Sequence, residues 1–78
     1  MKTTRYIDVL RTRPDRALIR VEWIQRAIEA PIREVIQPDG RFRRWGHVPE
    51  MQGRYLRVVL LEDGETVHNA FFDRGFTL

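Results

Sequence analysis

The side chains of this chain that can do chemistry are arginines, two histidines and two tyrosines. Thirteen of the 14 basic residues are arginine, and the histidines are His47 and His68, on different predicted strands. Arginine binds phosphates through paired hydrogen bonds, and histidine or tyrosine can transfer a proton. RNA cleavage needs only such groups, because the ribose 2′-hydroxyl is the nucleophile and the protein adds a base, an acid and cations. RNA cleavage is therefore a chemistry that fits these residue types.

Several other chemistries are excluded or find no support. The chain contains no cysteine and no serine, which excludes disulfides, thiolate metal sites and cysteine or serine nucleophiles. No glycine-rich phosphate loop is present. Two histidines alone make a poor zinc site, so the sequence predicts neither a metal nor a cofactor.

The last predicted hairpin brings two candidate catalytic residues together. Asp63-Gly64 is a strong hairpin signal, and a two-residue turn there pairs Leu60 with Val67. In that register Val58 faces Asn69, and Arg57 and His68 are diagonal neighbours on one face. A three-residue turn would separate the two.

A third catalytic candidate is His47. Tyr55 is a further group for proton transfer, and Arg57 and Arg43 are candidates for stabilising charge on the phosphate. The alternative for His68 is a structural, hydrogen-bonded histidine on a half-buried strand. The alternative for His47, beside a glycine near a strand end, is an ordinary surface histidine.

The run of residues 41–45 alternates basic and aromatic side chains and predicts a nucleic-acid-binding surface formed by Arg41, Arg43, Arg44 and Trp45. On a strand, one face would carry Arg41, Arg43, Trp45 and His47. The basic side chains of this face could bind phosphates while Trp45 stacks on a base. The alternative is a strand with Trp45 in the core and its arginines in solvent.

Charge is unevenly distributed along the chain. Residues 1–46 hold 11 basic and six acidic side chains, whereas residues 47–78 hold three and five. Such an arginine-rich surface fits nucleic acid or an acidic protein partner. The alternative explanation of the arginine content is a genomic codon bias toward arginine, with the side chains lying on ordinary solvent-exposed faces.

The hydrophobic pattern predicts helices followed by strands. Val21 to Ala30 has helical periodicity and ends at Pro31. Residues 3–10 fit either a strand or a helix, and Arg13-Pro14-Asp15 is either a break or a helix start. The predicted strands are Ile32–Gln37, Arg41–Val48, Tyr55–Glu62 and Thr66–Phe72.

The fold class that follows is α+β in one domain, residues 1–78. We expect an N-terminal segment of one or two helices packed on a C-terminal antiparallel sheet of three to four strands. The longest apolar stretch is Val58–Leu61, too short to span a membrane. With no signal-peptide pattern at the N-terminus, we expect a cytoplasmic protein that does not contact a membrane.

The order of several short motifs resembles that of known proteins. An arginine-rich start precedes Glu22-Trp23-Ile24, Ala30-Pro31, Gln37-Pro38-Asp39-Gly40-Arg41, Arg44-Trp45-Gly46, Glu62-Asp63-Gly64-Glu65-Thr66-Val67-His68 and Asn69-Ala70-Phe71-Phe72-Asp73-Arg74. From about Arg13 onward this resembles a group of small bacterial and cyanobacterial proteins of unknown function. More loosely, through helix-then-sheet order, size and basic charge, it resembles the RelE/ParE toxin domains.

The toxin resemblance implies a helical layer on an antiparallel sheet whose exposed face cuts messenger RNA, often on the ribosome. Arg57 and His68 match only the general character of that family's catalytic residues, and the near absence of lysine is a departure. The implied partners are RNA, the ribosome or an acidic antitoxin-like protein. The second hypothesis is a non-catalytic domain that binds an acidic partner through its arginine-rich face. The oligomeric state is left open.

Overall fold

The computed structural model describes all residues, 1–78, and consists of three helices followed by a four-stranded sheet. The strands are antiparallel in the order β1-β2-β3-β4, each next to its neighbour in sequence. The predicted α+β architecture is therefore confirmed, with three N-terminal helices where one or two were expected. The helices are α1 (Arg5–Leu10), α2 (Pro14–Ala17) and α3 (Val21–Glu29), and the strands are β1 (Arg33–Ile36), β2 (Phe42–Val48), β3 (Arg54–Leu60) and β4 (Val67–Phe72).

The first twenty residues, whose structure the sequence left open, form two short helices. The hydroxyl of Thr4 accepts a hydrogen bond from the N–H of Ile7 and so caps α1. Just before the cap, the N–H of Val67 donates to the carbonyl of Lys2, which ties this segment to β4. Pro14 occupies the first turn of α2, a position where its missing N–H costs nothing.

Helix α3 packs across one face of the sheet as its periodicity predicts. Ile24 and Ala27 are fully buried, and Trp23 lies against Phe72 of β4 with ring centroids 6.1 Å apart. Twelve buried residues form the core between the helices and this inner face of the sheet. No helix combines the length and the apolar composition needed to cross a membrane.

Helix α3 packs tightly against Gly46 in β2. A Cβ placed on Gly46 would lie 2.9 Å from the Cβ of Ala27 and 3.0 Å from its Cα. Because the second of these atoms is backbone, α3 itself would have to move to make room. Glycine is therefore required at position 46 by packing rather than by backbone conformation.

We expect Gly46→Ala to lower the free energy of unfolding by about 1–3 kcal/mol, the usual cost of overpacking a core. Gly75→Ala is the matched control, because its added Cβ meets only Asp73 Oδ1, at 3.6 Å. Urea denaturation of both variants checks this. Equal stabilities for the two would show that α3 does not press on Gly46.

The β3–β4 hairpin departs from the predicted register. Leu60 pairs with Val67 as expected, but a bulge follows, so that Val59 faces Asn69 and Val58 faces Ala70. The prediction that Val58 faces Asn69 is therefore wrong. Strict alternation would turn Asn69 toward the core, whereas the bulge at position 68 lets both Val67 and Ala70 be buried. Burying two apolar side chains in place of an amide favours the shifted register.

Candidate functional site

The face of the sheet turned away from the helices, here called the outer face, carries the candidate site. Cross-strand partners on this face are Arg43 with Val59, Trp45 with Arg57, and His47 with Tyr55. Of the four residues predicted to share a face, Arg43, Trp45 and His47 do so, whereas Arg41 lies before the start of β2. The neighbours of these partners in β3, among them Leu56 and Val58, point into the core instead.

Arg57 is held in the middle of the outer face by a carboxylate. Its Nη2 and Nε donate to Asp73 Oδ2 over 2.9 and 3.1 Å, and Trp45 Nε1 donates to the same oxygen over 3.0 Å. The guanidinium also lies over the rings of Phe71 and Trp45, 4.8 and 5.6 Å from their centroids. Asp73 thus forms an ion pair with Arg57 of β3 and not with its neighbour in sequence, Arg74. These contacts hold the guanidinium of Arg57 in place, and a catalytic role for Arg57 stays a prediction.

Asp73 is ionised more readily than an ordinary aspartate. The hydrogen bond from the Trp45 indole, together with those from Arg57, holds the pKa of Asp73 below its usual 3.8, although partial burial opposes the shift. A pKa lowered in the folded state stabilises the fold above the unfolded value, and this stabilisation is lost as the pH falls through the folded pKa.

The stability difference between the wild type and Asp73→Asn should therefore depend on pH. We expect a constant difference from about pH 7 to 5, and a shrinking one below about pH 4, measured by urea denaturation. Two other carboxyl groups also have a pKa lowered to about 2: that of Glu50, through its hydrogen bond with Arg26, and that of Asp63, through its hydrogen bond with Thr66. Both groups are present in the wild type and in the variant, so their contributions cancel in the stability difference. A difference that is unchanged at pH 2.5 would contradict this prediction.

Trp45 lies under the C-terminal segment. Only 6% of the residue is exposed, and Phe76 stacks on it with centroids 4.9 Å apart and planes 20° apart. It is buried outside the main core cluster, on the opposite face of the sheet. Stacking of Trp45 on a nucleic-acid base stays a prediction, and it requires Phe76 to move away.

His68 lies at the bulge and contacts helix α1. Its Nδ1 is hydrogen-bonded to the hydroxyl of Thr4 at 3.0 Å, and its ring stacks on Tyr6 at 4.9 Å. Because of the register shift, Arg57 faces Phe71, three residues further along β4. The predicted diagonal pairing of Arg57 with His68 is therefore wrong. These contacts fit the structural alternative for His68.

The remaining arginines of the 41–45 run are divided between the two faces. Arg44 lies on the inner side, where it pairs with Glu34 and donates to the Ile28 carbonyl at the end of α3. This orientation separates it from the outer face. Arg43 Nε donates to Gln37 Oε1 over 2.8 Å, and Arg41 lies half-exposed near Asp39, 3.8 Å from its carboxylate.

The open end of the outer face brings together an imidazole and a phenol. His47 is exposed and lies beside Tyr55, with ring centroids 5.4 Å apart. A five-residue connection between β2 and β3 sets this pairing. Within it Gly53 has a φ of +72°, and a Cβ there would lie only 3.3 Å from His47 Nε2. The backbone at Gly53 thus leaves room for the imidazole.

Next to Tyr55 is a shallow cleft of about 330 Å³. Two exposed arginines, Arg54 and Arg74, line it, and neither forms an ion pair with a carboxylate of the chain. The other lining residues are Gln52, Gly53, Tyr55, Phe72, Asp73 and Phe76. The cleft therefore offers cationic groups to an anion beside two groups that can exchange protons.

Arg54 and Arg74 were not recognised as site residues in the sequence. Arg54 belongs to no motif, Arg74 only ends the stretch Asn69-Ala70-Phe71-Phe72-Asp73-Arg74, and the two arginines lie twenty residues apart. The only available signal was their position, one at the start of β3 and the other just after β4, since these ends meet in an antiparallel hairpin. No group of three or more histidine, aspartate or glutamate side chains is placed to hold a metal ion.

Comparison with known proteins finds no protein-family model that matches the chain, and no curated protein or solved structure that matches it significantly. The likeness to RelE/ParE toxin domains therefore remains an expectation from the sequence.

Proposed function

We propose that this protein is a RelE-like domain that binds single-stranded RNA on its outer face and cleaves it through the ribose 2′-hydroxyl. The observation that carries the proposal is the pairing of the exposed His47 with the half-buried Tyr55, beside a cleft lined by two arginines without acidic partners. Such a site contains the parts that this reaction needs, with no metal or cofactor among them.

Each residue has a distinct role in the proposed reaction. His47 accepts the proton of the 2′-hydroxyl, since imidazole exchanges protons readily near neutral pH. As the 2′-oxygen bonds to phosphorus and the bond from phosphorus to the 5′-oxygen breaks, Tyr55 donates its proton to the leaving 5′-oxygen, and a 2′,3′-cyclic phosphate remains. Arg54 and Arg74 bind the phosphate and stabilise the charge that develops on it. Arg57 positions Trp45 and Asp73 beneath the site.

The size and surroundings of the cleft support recognition of one nucleotide linkage. A volume of about 330 Å³ is at the lower end of the range for ligand sites. A phosphate with its ribose fits this space, and the rest of the strand would run along the outer face toward Arg43 and Arg41. The protein would then meet its substrate in the cytoplasm, where messenger RNA and ribosomes are found.

The test is incubation of the purified protein with a labelled single-stranded RNA, and in parallel with messenger RNA on translating ribosomes in a cell-free extract. We expect discrete cuts in at least one of the two, and none in DNA of the same sequence. Intact RNA in both, with protein shown to be folded by circular dichroism, would contradict the proposal.

A further inference from the structure

The two edges of the sheet differ, because the edge at β4 is covered by other parts of the chain. The N–H of Val67 donates to the Lys2 carbonyl over 2.9 Å, and the Val67 carbonyl accepts from the N–H of Thr4 over 3.0 Å. Further along β4, Arg16 Nη1 of α2 donates to the Ala70 carbonyl over 3.0 Å. The N-terminal segment and α2 therefore occupy the hydrogen-bonding groups of this edge and close it to another strand.

The opposite edge of the sheet, formed by β1, is open. All residues of β1 are exposed, and no hydrogen bond from outside the β1–β2 ladder reaches the backbone of Glu34 or Ile36. The N–H of Gln37 donates to the Arg41 carbonyl over 2.7 Å, which marks this as a hydrogen-bonded pair. Because hydrogen-bonded and non-hydrogen-bonded pairs alternate in an antiparallel ladder, the N–H and C=O groups of Glu34 and Ile36 point away from β2. These groups can therefore pair with a further strand.

Apolar side chains accompany the free backbone groups of β1. Ile32, Val35 and Ile36 are 40%, 42% and 62% exposed, which is high for aliphatic residues beside an unpaired strand edge. The strand contains neither lysine nor proline, the residues that commonly protect such an edge. The charge of its one carboxylate, Glu34, is already paired with Arg44 of the same chain. The β1 edge therefore has the features of an interface.

We propose that β1 pairs antiparallel with β1 of a second copy of this chain, in the register that places Val35 opposite Val35. A two-fold axis at this pair lets Glu34 and Ile36 of one copy exchange hydrogen bonds with Ile36 and Glu34 of the other, which uses all the outward-pointing groups of these residues. The two valines then form a closely spaced pair without hydrogen bonds, and Arg33 faces the neutral Gln37. This interface does not depend on RNA cleavage at the outer face.

The sequence of β1 favours this register over the neighbouring symmetric ones. An axis at Arg33 or at Glu34 would place like charges directly opposite each other, which is unfavourable in a sheet. An axis at Ile36 would place Glu34 opposite Pro38, which has no N–H to donate. Because the β4 edge of each copy is closed, pairing through β1 ends at a dimer and cannot continue into a fibre. The dimer would join the outer faces of both copies into one continuous sheet surface.

The test is sedimentation equilibrium from micromolar to millimolar protein concentration, for the wild type, Val35→Lys and Val35→Glu. Each variant alone places like charges opposite each other at the two-fold axis, whereas an equimolar mixture of the two places opposite charges there. The matched control is Val9→Lys, since Val9 is also an exposed valine but lies on α1. Hydrogen exchange of the wild type gives a second measurement that needs no variant.

We expect a wild-type dimer whose Kd rises about tenfold or more in Val35→Lys and in Val35→Glu, and stays unchanged in Val9→Lys. The mixture of the two Val35 variants should dimerise again. The amides of Glu34 and Ile36 should exchange more slowly at concentrations where the wild type is dimeric. A wild type that stays monomeric at millimolar concentration, a mixture that fails to dimerise, or a dimer without protection of these amides would overturn the proposal. So would a dimer that Val9→Lys dissociates and Val35→Lys does not.

Discussion

Replacing His47 with alanine is expected to slow RNA cleavage by about 10²–10⁴-fold, the usual contribution of a general base. His47 is exposed on β2 and contacts Tyr55 and the open backbone at Gly53, so its removal should leave the fold intact. Cleavage of a labelled substrate under single-turnover conditions measures the effect. RNA affinity should change much less than the rate, because the proposal assigns binding of the phosphate to Arg54 and Arg74.

The control for His47→Ala is the other histidine. His68 is bonded to Thr4 and stacked on Tyr6, so His68→Ala should lower stability modestly and leave the cleavage rate within about threefold of the wild type. The opposite pattern, with His68→Ala inactive and His47→Ala active, would contradict the assignment of the site to the open end of the outer face.

The second large effect is expected at Asp73. Asp73→Ala should lower the free energy of unfolding by about 2–4 kcal/mol, because it leaves the guanidinium of Arg57 and the indole N–H of Trp45 without their shared acceptor. The side chains of Arg57 and Asp73 are only 24% and 12% exposed, so water compensates little of this loss. Urea denaturation at pH 7 gives the value.

Asp39→Ala is the matched control for Asp73→Ala. Asp39 pairs with Arg41 over 3.8 Å, and their side chains are 53% and 40% exposed, so the change should be below about 1 kcal/mol. Equal losses for the two variants would show that the Arg57–Asp73–Trp45 cluster adds no more stability than a surface ion pair. In that case Arg57 would not be the positioning residue described above.

Most of the fold could be predicted because the hydrophobic periodicity and the proline and glycine positions indicate the same element boundaries. Pro31 follows the end of α3, where the helical periodicity also ends, and the turns at Asp39-Gly40 and Asp63-Gly64 separate β1 from β2 and β3 from β4. The bulge at His68 could not be read from the same pattern. The bulge depends on which face of β4 the helices cover. Because the helices cover the face that carries Val67, the bulge places Ala70 on that same buried face, where strict alternation would have placed Asn69.

The site was harder to predict than the fold because its contacts are non-local. Alternation along β2 was enough to place His47 on the outer face, but its pairing with Tyr55 depends on the length of the β2–β3 connection. The partner of Arg57 lies in the segment after β4, where no periodic pattern extends. Phe76, from that same segment, covers Trp45 and thereby removes the most obvious aromatic candidate from the surface.

The most direct test of the central claim uses an RNA substrate whose cut site has been mapped, with 2′-O-methyl ribose placed at that one position. If the 2′-hydroxyl is the nucleophile and His47 accepts its proton, the wild type should not cut the methylated linkage. It should still cut the unmodified RNA and leave a 2′,3′-cyclic phosphate. Cleavage of the methylated linkage at an unchanged rate, or an undiminished rate for His47→Ala on the unmodified RNA, would contradict the account.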